Sequence, residues 1–236
     1  MTLRYLSTTL LLAAALTACD EGDIYPDTAT ADREGFSVRL TATVEGADSW
    51  SGSYRVALAA FAEADEYAVM VKNIDTDTSA STDLTLSGLG PEVKSVELCV
   101  LDGLRRRVTT IASLDTDGAA PGTTLLLEAD EADAGMLAAI QREVFSTTCA
   151  NCHGASNHAA ADLYLTEGRS RESLVGVAST LIDGAVRVVP GDAAQSVLYQ
   201  AVATDVSTSW RYDHTVEITS TATLDMIKTW IDGGAR

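Results

Sequence analysis

The sequence predicts an all-β sandwich in the first half of the chain and an all-α domain in the second half. Short runs of alternating apolar and polar residues fill the first half, and clusters rich in Asp, Thr and Gly separate them. In the second half, two segments repeat apolar residues with the period of an α-helix. With 236 residues, the chain is long enough for two small cores.

The predicted strands have the spacing of an immunoglobulin-like sandwich. In the run Phe36–Val44, every second residue from Phe36 onwards is apolar and lies on one face. The other runs are 54–60, 66–71, 82–86, 95–101, 107–114 and 123–127. The region lacks the Cys–Trp–Cys pattern of antibody domains and contains no evident catalytic constellation, so we interpret it as a spacer or docking module.

The amino terminus has the features of a bacterial lipoprotein. Residues 1–18 combine Arg4 with a short apolar stretch, too short to span a membrane, as in a secretory signal. The sequence from Leu16 to Cys19 resembles a lipobox and predicts lipidation of Cys19, although an ordinary signal peptide is the alternative. Residues 19–35 are predicted to form a flexible tether.

The sandwich is expected over residues 36–128 and the helical domain over residues 129–236. Residues 128–133 are interpreted as an acidic linker and helix start. A helix is predicted from Gly135 to Ser146, and a second helix from Thr221 to Ile231.

The first of these helices leads into Cys149-Ala-Asn-Cys152-His153, a C-x-x-C-H motif. Such a motif attaches a c-type haem: the two thiols bond to the haem vinyl groups, and the histidine binds the iron. A zinc site is the main alternative, but it would need two further ligands from Cys99, His158 and His214. A thioredoxin-like pair would need a βαβ context, which the pattern does not show.

Cysteine usage and charge limit the remaining possibilities. Cys99 alternates with polar residues in an apolar run and is expected to be a buried small hydrophobe, so no structural disulfide is expected. The net charge of −18 argues against binding to nucleic acid or to anionic lipid. The same charge could steer basic redox partners, or it could simply solvate the surface.

Further short motifs follow C-x-x-C-H in a fixed order. They are Ala161–Leu165, Gly168–Ser170, Leu174–Val177, Arg187–Asp192, Ser196–Tyr199 and Trp230–Ala235. Together with Cys149–Gly154, they resemble a bacterial monohaem c-type cytochrome domain of the Planctomycete type and related families. The resemblance implies one covalent haem c, an all-α class I cytochrome c-like fold and a role as an electron carrier.

In the resembling family, a methionine usually binds the iron opposite the histidine. The corresponding segment here, 210–218, contains no methionine, and His214 lies close to the expected position. We therefore predict His214 as the distal ligand, which would lower the reduction potential relative to a thioether. The alternatives are an open or water-bound iron, His158 and, more remotely, Tyr212, whereas Met226 is expected in the core.

The predicted function is single-electron transfer by a lipid-anchored cytochrome of the bacterial cell envelope, on the periplasmic face or the outer membrane. Its partners would be unidentified redox proteins, together with the membrane that holds the lipid. A haem enzyme or gas sensor with an open distal site is the first alternative. An adhesion or binding module with an accessory haem is the second.

Overall fold

The alternating pattern of the first half forms seven strands in the computed structural model, which describes residues 35–63, 65–75, 81–154, 157–204 and 212–236. The described residues belong to one unit, Glu34–Arg236. The strands are β1 Phe36–Glu45, β2 Arg55–Ala62, β3 Met70–Asn73, β4 Ser81–Leu89, β5 Val93–Leu101, β6 Arg107–Asp115 and β7 Thr124–Asp133.

Two sheets enclose the first core. One sheet has the order β4-β1-β7 and the other the order β3-β2-β5-β6. Pairing is antiparallel except between β1 and β7, which run parallel, with Leu40 opposite Leu127. Alternate residues of β1, including Val38 and Leu40, are fully buried and meet Leu58 and Leu98 of the other sheet.

A buried carboxylate lies on the four-stranded sheet. Glu97 is 4% exposed, and its carboxylate accepts hydrogen bonds from Arg107 at 2.5 Å and from Thr110 at 2.7 Å. The guanidinium of Arg107 also stacks over the ring of Phe61, 4.6 Å from its centre. These contacts offset the cost of removing the carboxylate from water.

The residues after β7 form one long helical segment and several shorter helices. The segment comprises α1 Met136–Ile140, a π-helical stretch Gln141–Cys149 and α2 Ala150–His153. Three helices follow, α3 Ser170–Leu174, α4 Val197–Ala203 and α5 Thr221–Asp232. The described residues contain no helix that is long and apolar enough to cross a membrane.

The helices share a second core, which adjoins the sheets. The helical segment contributes Ile140 and Phe145, and α5 contributes Ile227 and Ile231, all fully buried. Trp50 packs against both cores, and its indole N–H donates to the carbonyl of Ala134 at 2.5 Å.

The fold class predicted from the sequence, an immunoglobulin-like sandwich followed by an all-α class I cytochrome c-like domain, is wrong. The described chain is mostly β-sheet, its helices are few and short, and the longest α-helix, α5, has 12 residues. Apart from short helices, the described residues between α2 and α5 form turns and isolated bridges, such as Val175 with Val188. Gly176, two residues after α3, adopts a left-handed backbone conformation, which ends that helix rather than continuing it.

A second difference concerns the acidic segment 128–133. The sequence predicts a linker and helix start, but β7 continues through Asp133. Ala129 and Ala132 pair with Ala42 and Val44 of β1, and Ala132 is buried. Pairing with β1 therefore overrides the low strand propensity of Asp and Glu.

Candidate functional site

The long helical segment places the C-x-x-C-H motif at its end. Val144 and Phe145 anchor the π-helical stretch in the core, and Cys149 is its last residue. Cys152 and His153 lie on α2, one turn further along. Gly154 follows directly, and a Cβ there would lie only 2.3 Å from the carbonyl oxygen of Ala150, so only glycine fits against the end of α2.

The ring of His153 is fixed by a backbone carbonyl. Its Nδ1 lies 2.9 Å from the carbonyl oxygen of Ala160. Because a carbonyl only accepts hydrogen bonds, Nδ1 carries the proton and Nε2 keeps its lone pair. Burial lowers the pKa of His153, which favours the neutral ring that metal ions bind.

His214 lies on a short 3-10 turn, His214–Val216, opposite His153. The two ring centres are 6.3 Å apart, and the ring planes differ by 31°. Asp213 caps the turn, accepting hydrogen bonds from the amide and hydroxyl of Thr215. This contact lowers the pKa of Asp213 and fixes the turn that carries His214.

Both histidines and both motif cysteines line one cavity of about 350 Å³, a volume usual for small-molecule sites. Its remaining wall is mostly apolar and includes Leu163, Leu165, Leu174, Val197, Leu198, Val202 and Ile218. Tyr212 also lines the cavity and is half exposed; its ring lies edge-on to that of His214, with the two ring centres 5.4 Å apart.

The two cysteines are free thiols in different surroundings. Cys149 is partly buried, whereas Cys152 is exposed. Burial raises the pKa of the Cys149 thiol to about 11, so it is protonated at neutral pH.

The structure thus brings His214 together with Cys149, Cys152 and His153, which lie close to one another in the sequence and about 60 positions before it. His158 is exposed and does not line the cavity, and Met226 lies in the helical core.

Two other cysteine predictions concern parts of the chain away from the cavity. Cys99 is fully buried in β5, in a separate cluster on the sheet, where burial raises the pKa of its thiol. Cys19, the predicted lipidation site, lies outside the described residues.

One cavity residue was missed by the sequence reasoning. Arg187 is 8% exposed, lines the same cavity, and has a pKa lowered by burial. It belongs to a motif of the resembling family, Arg187–Asp192, but no local pattern indicates what its side chain contacts.

Comparison with known proteins gives no match to a family model, to a curated protein or to a solved structure. The interpretation of the site therefore depends on its own geometry. Two imidazoles facing each other across an apolar cavity can hold a metal ion between them, and two thiols on its wall can bond covalently to a ligand.

Proposed function

We propose that this chain binds one haem c covalently through Cys149 and Cys152 and transfers single electrons. The observation that carries the proposal is the placement of His153 and His214 on facing sides of the cavity that also exposes both cysteines. The bound haem would supply a one-electron iron couple. The protein would supply attachment, two nitrogen ligands and an apolar enclosure.

The separation of the two rings agrees with binding of one metal ion by both. Metal–imidazole bonds are about 2.0–2.1 Å long and each ring nitrogen lies about 1.1–1.2 Å from its ring centre, so two imidazoles on opposite sides of one ion would be centred roughly 6.2–6.6 Å apart. His153 and His214 are centred 6.3 Å apart. This separation supports the proposal that both rings bind one iron.

The covalent step needs no further reactant. Each thiol of Cys149 and Cys152 would add across one vinyl group of the haem. One S–H bond and one carbon–carbon π bond would be exchanged for one C–S bond and one C–H bond, so the addition would consume neither oxidant nor reductant. The thiol of Cys149, protonated at neutral pH, carries the proton that this addition uses.

Ligation by two histidines favours electron transfer over catalysis. With His153 and His214 both bound, the iron would have no vacant site for oxygen or peroxide. A second nitrogen donor also stabilises ferric iron relative to a thioether and lowers the reduction potential. We therefore propose an electron carrier rather than a haem enzyme or gas sensor.

The cellular setting is part of the same proposal. Lipidation of Cys19 would hold the protein on a membrane of the cell envelope, where it would meet redox partner proteins. The sheets would then act as a spacer or docking body between the membrane and the haem.

The decisive experiment is to produce the full chain with a c-type haem maturation system and to record EPR spectra of the oxidised protein. We expect haem that stays bound under denaturing conditions and a low-spin, bis-histidine spectrum. The variant His214→Ala should lose that spectrum, whereas the matched control His158→Ala should keep it, because His158 is exposed and outside the cavity. High-spin iron unchanged by His214→Ala would contradict the assignment and favour an open site.

A further inference from the structure

We propose that Arg187 is the residue that positions His153, acting through the loop Ala160–Asp162. The inference rests on the proposed function, because the positioned ring is the proposed proximal ligand. Arg187 and His153 are 34 positions apart in the sequence, and the loop lies between them in the structure.

The loop has an unfavourable backbone conformation. Ala161 and Asp162 both have φ of 54°, in the left-handed region that residues with a side chain rarely adopt. A pair of such residues persists only where surrounding contacts hold it. Contacts from other parts of the chain must therefore hold this loop in place.

Arg187 provides two of those contacts. Its Nη2 donates to the carbonyls of Ala161 at 2.9 Å and Asp162 at 3.2 Å, and its Nη1 donates to the carbonyl of Ser173 at 2.8 Å. Thr180 adds a hydroxyl that also donates to the carbonyl of Ala161, at 2.9 Å. A buried, planar guanidinium can hold several carbonyls at fixed angles, which a lysine ammonium cannot do in the same way.

The residue just before this strained pair holds His153. The carbonyl of Ala160 receives the Nδ1–H of His153 at 2.9 Å and the amide of Leu163 at 3.2 Å. If the loop relaxes, the Ala160 carbonyl moves away from Nδ1, and the ring loses the bond that fixes both its tautomer and its orientation. Arg187 therefore acts on His153 through the loop.

The direction of the effect on the iron follows from this bond. A hydrogen bond from Nδ1 to a carbonyl makes the imidazole a stronger electron donor and stabilises ferric iron. Weakening it should raise the reduction potential. Loss of the positive charge of Arg187 would have the opposite effect, so the test must keep the charge.

Two variants of the full-length holoprotein separate these effects. Arg187→Lys keeps the charge but removes the planar fork, and Thr180→Val removes one neutral bond to the loop. We expect an upward shift of the reduction potential in both and faster exchange of the Nδ1 proton of His153, measured by NMR on its paramagnetically shifted signal. Both variants should keep the low-spin, bis-histidine spectrum.

The controls make the same substitutions elsewhere. Arg55→Lys alters an exposed guanidinium that also donates to two carbonyls, those of Gly52 and Tyr54. Thr123→Val alters an exposed hydroxyl that donates to the carbonyl of Ala120. Neither control should change the potential or the proton exchange.

The outcomes distinguish the two proposals. A wild-type protein without haem, or without a bis-histidine spectrum, would overturn the proposed function and this inference together. A bis-histidine wild type whose potential and Nδ1 exchange are unchanged in both variants would overturn the inference alone. If Arg187→Lys does not fold, the reduction potential and Nδ1 proton exchange of Thr180→Val alone test the inference.

Discussion

At the scale of single residues, the molecule stabilises buried polar groups by specific partners. Glu97 in the sheet and His153 at the cavity are both held by directed hydrogen bonds. The loss of stability on removing one partner increases with burial, because a buried charge that loses its partner cannot be hydrated instead.

Glu97→Ala should therefore reduce the free energy of unfolding by about 3 kcal/mol, at the lower end of the range for a buried ion pair because Arg107 is partly exposed. Urea denaturation of the full chain measures this. Asp83→Ala, which removes an exposed partner of Arg39, is the matched control and should leave the midpoint nearly unchanged. Equal effects of the two substitutions would show that burial of Glu97 is not the deciding factor.

Asp232 predicts a dependence of stability on pH. Its carboxylate accepts from Lys228 at 2.5 Å and from the amide of Ala193 at 2.8 Å, and the hydrogen bond from Lys228 is the main cause of its lowered pKa. The stabilisation is present above the unfolded pKa of about 3.9 and is lost as the pH falls through the lower folded value.

Asp232→Asn should accordingly be less stable than wild type at neutral pH, and the difference should close as the pH falls below about 4. Thermal unfolding at a series of pH values measures the difference. Asp225→Asn, in the same helix, removes a carboxylate without removing the bond to Ala193 and should show a smaller difference. A difference in stability between wild type and Asp232→Asn that stays constant down to about pH 2 would contradict the proposed coupling between the protonation of Asp232 and stability.

At the scale of elements, α5 shows how one helix face organises the second core. Met226, Ile227, Trp230 and Ile231 are buried, and Ser220 caps the helix by accepting from the amide of Thr223. The buried face of α5 packs in the same core as Ile140 and Phe145, so its packing also supports the helical segment that ends at the cysteines.

Ile227→Ala should lower the free energy of unfolding by about 3–4 kcal/mol, and Ile227→Val by about 1 kcal/mol, because the site is fully buried. Chemical denaturation of the two variants gives the graded comparison. Equal, small losses would mean that the core around α5 can collapse into the vacated volume.

The strands and the terminal helix could be predicted because their patterns are local. Alternation identified most of the sheet-forming runs, although β3 covers Met70–Asn73 rather than the predicted 66–71. The helical period of 221–231 identified α5. The end of β7 could not be predicted, because its acidic residues become a strand only through pairing with β1. The turns between α2 and α5 depend on backbone bonds such as Gly176 to Val188, which no local period indicates.

The candidate site was predictable for a similar reason. Cys149, Cys152 and His153 form a contiguous motif, and His214 was found by its position within the resembling segment. The role of Arg187 depends on a loop 25 residues away in sequence, and only the folded chain shows that contact.

At the scale of the whole molecule, charge should decide which partners the proposed carrier meets. The chain has 34 acidic and 16 basic residues. An acidic protein is attracted over distance to basic partners, and salt screens that attraction over a Debye length of about 8 Å at physiological ionic strength.

Electron exchange with a small basic redox protein should therefore slow as salt is raised, whereas exchange with an acidic one should accelerate. Stopped-flow measurements with each of the two proteins at roughly 0.02–0.5 M salt give the dependence of the electron-transfer rate on ionic strength for each partner. Screening lengths change most over this range. Rates independent of salt for both partners would indicate that the net charge has no role in encounter.

The parallel pairing of β1 with β7 has a consequence for the order of folding. Leu40 and Leu127 are neighbours in the sheet although 87 positions separate them. A chain delivered from its amino terminus cannot complete this sheet until the last strand has emerged, and such distant pairing is slow. Asp133, where β7 ends, precedes Cys149 by 16 positions, so in the proposed cytochrome the thiols would emerge shortly after the last partner of the first strand.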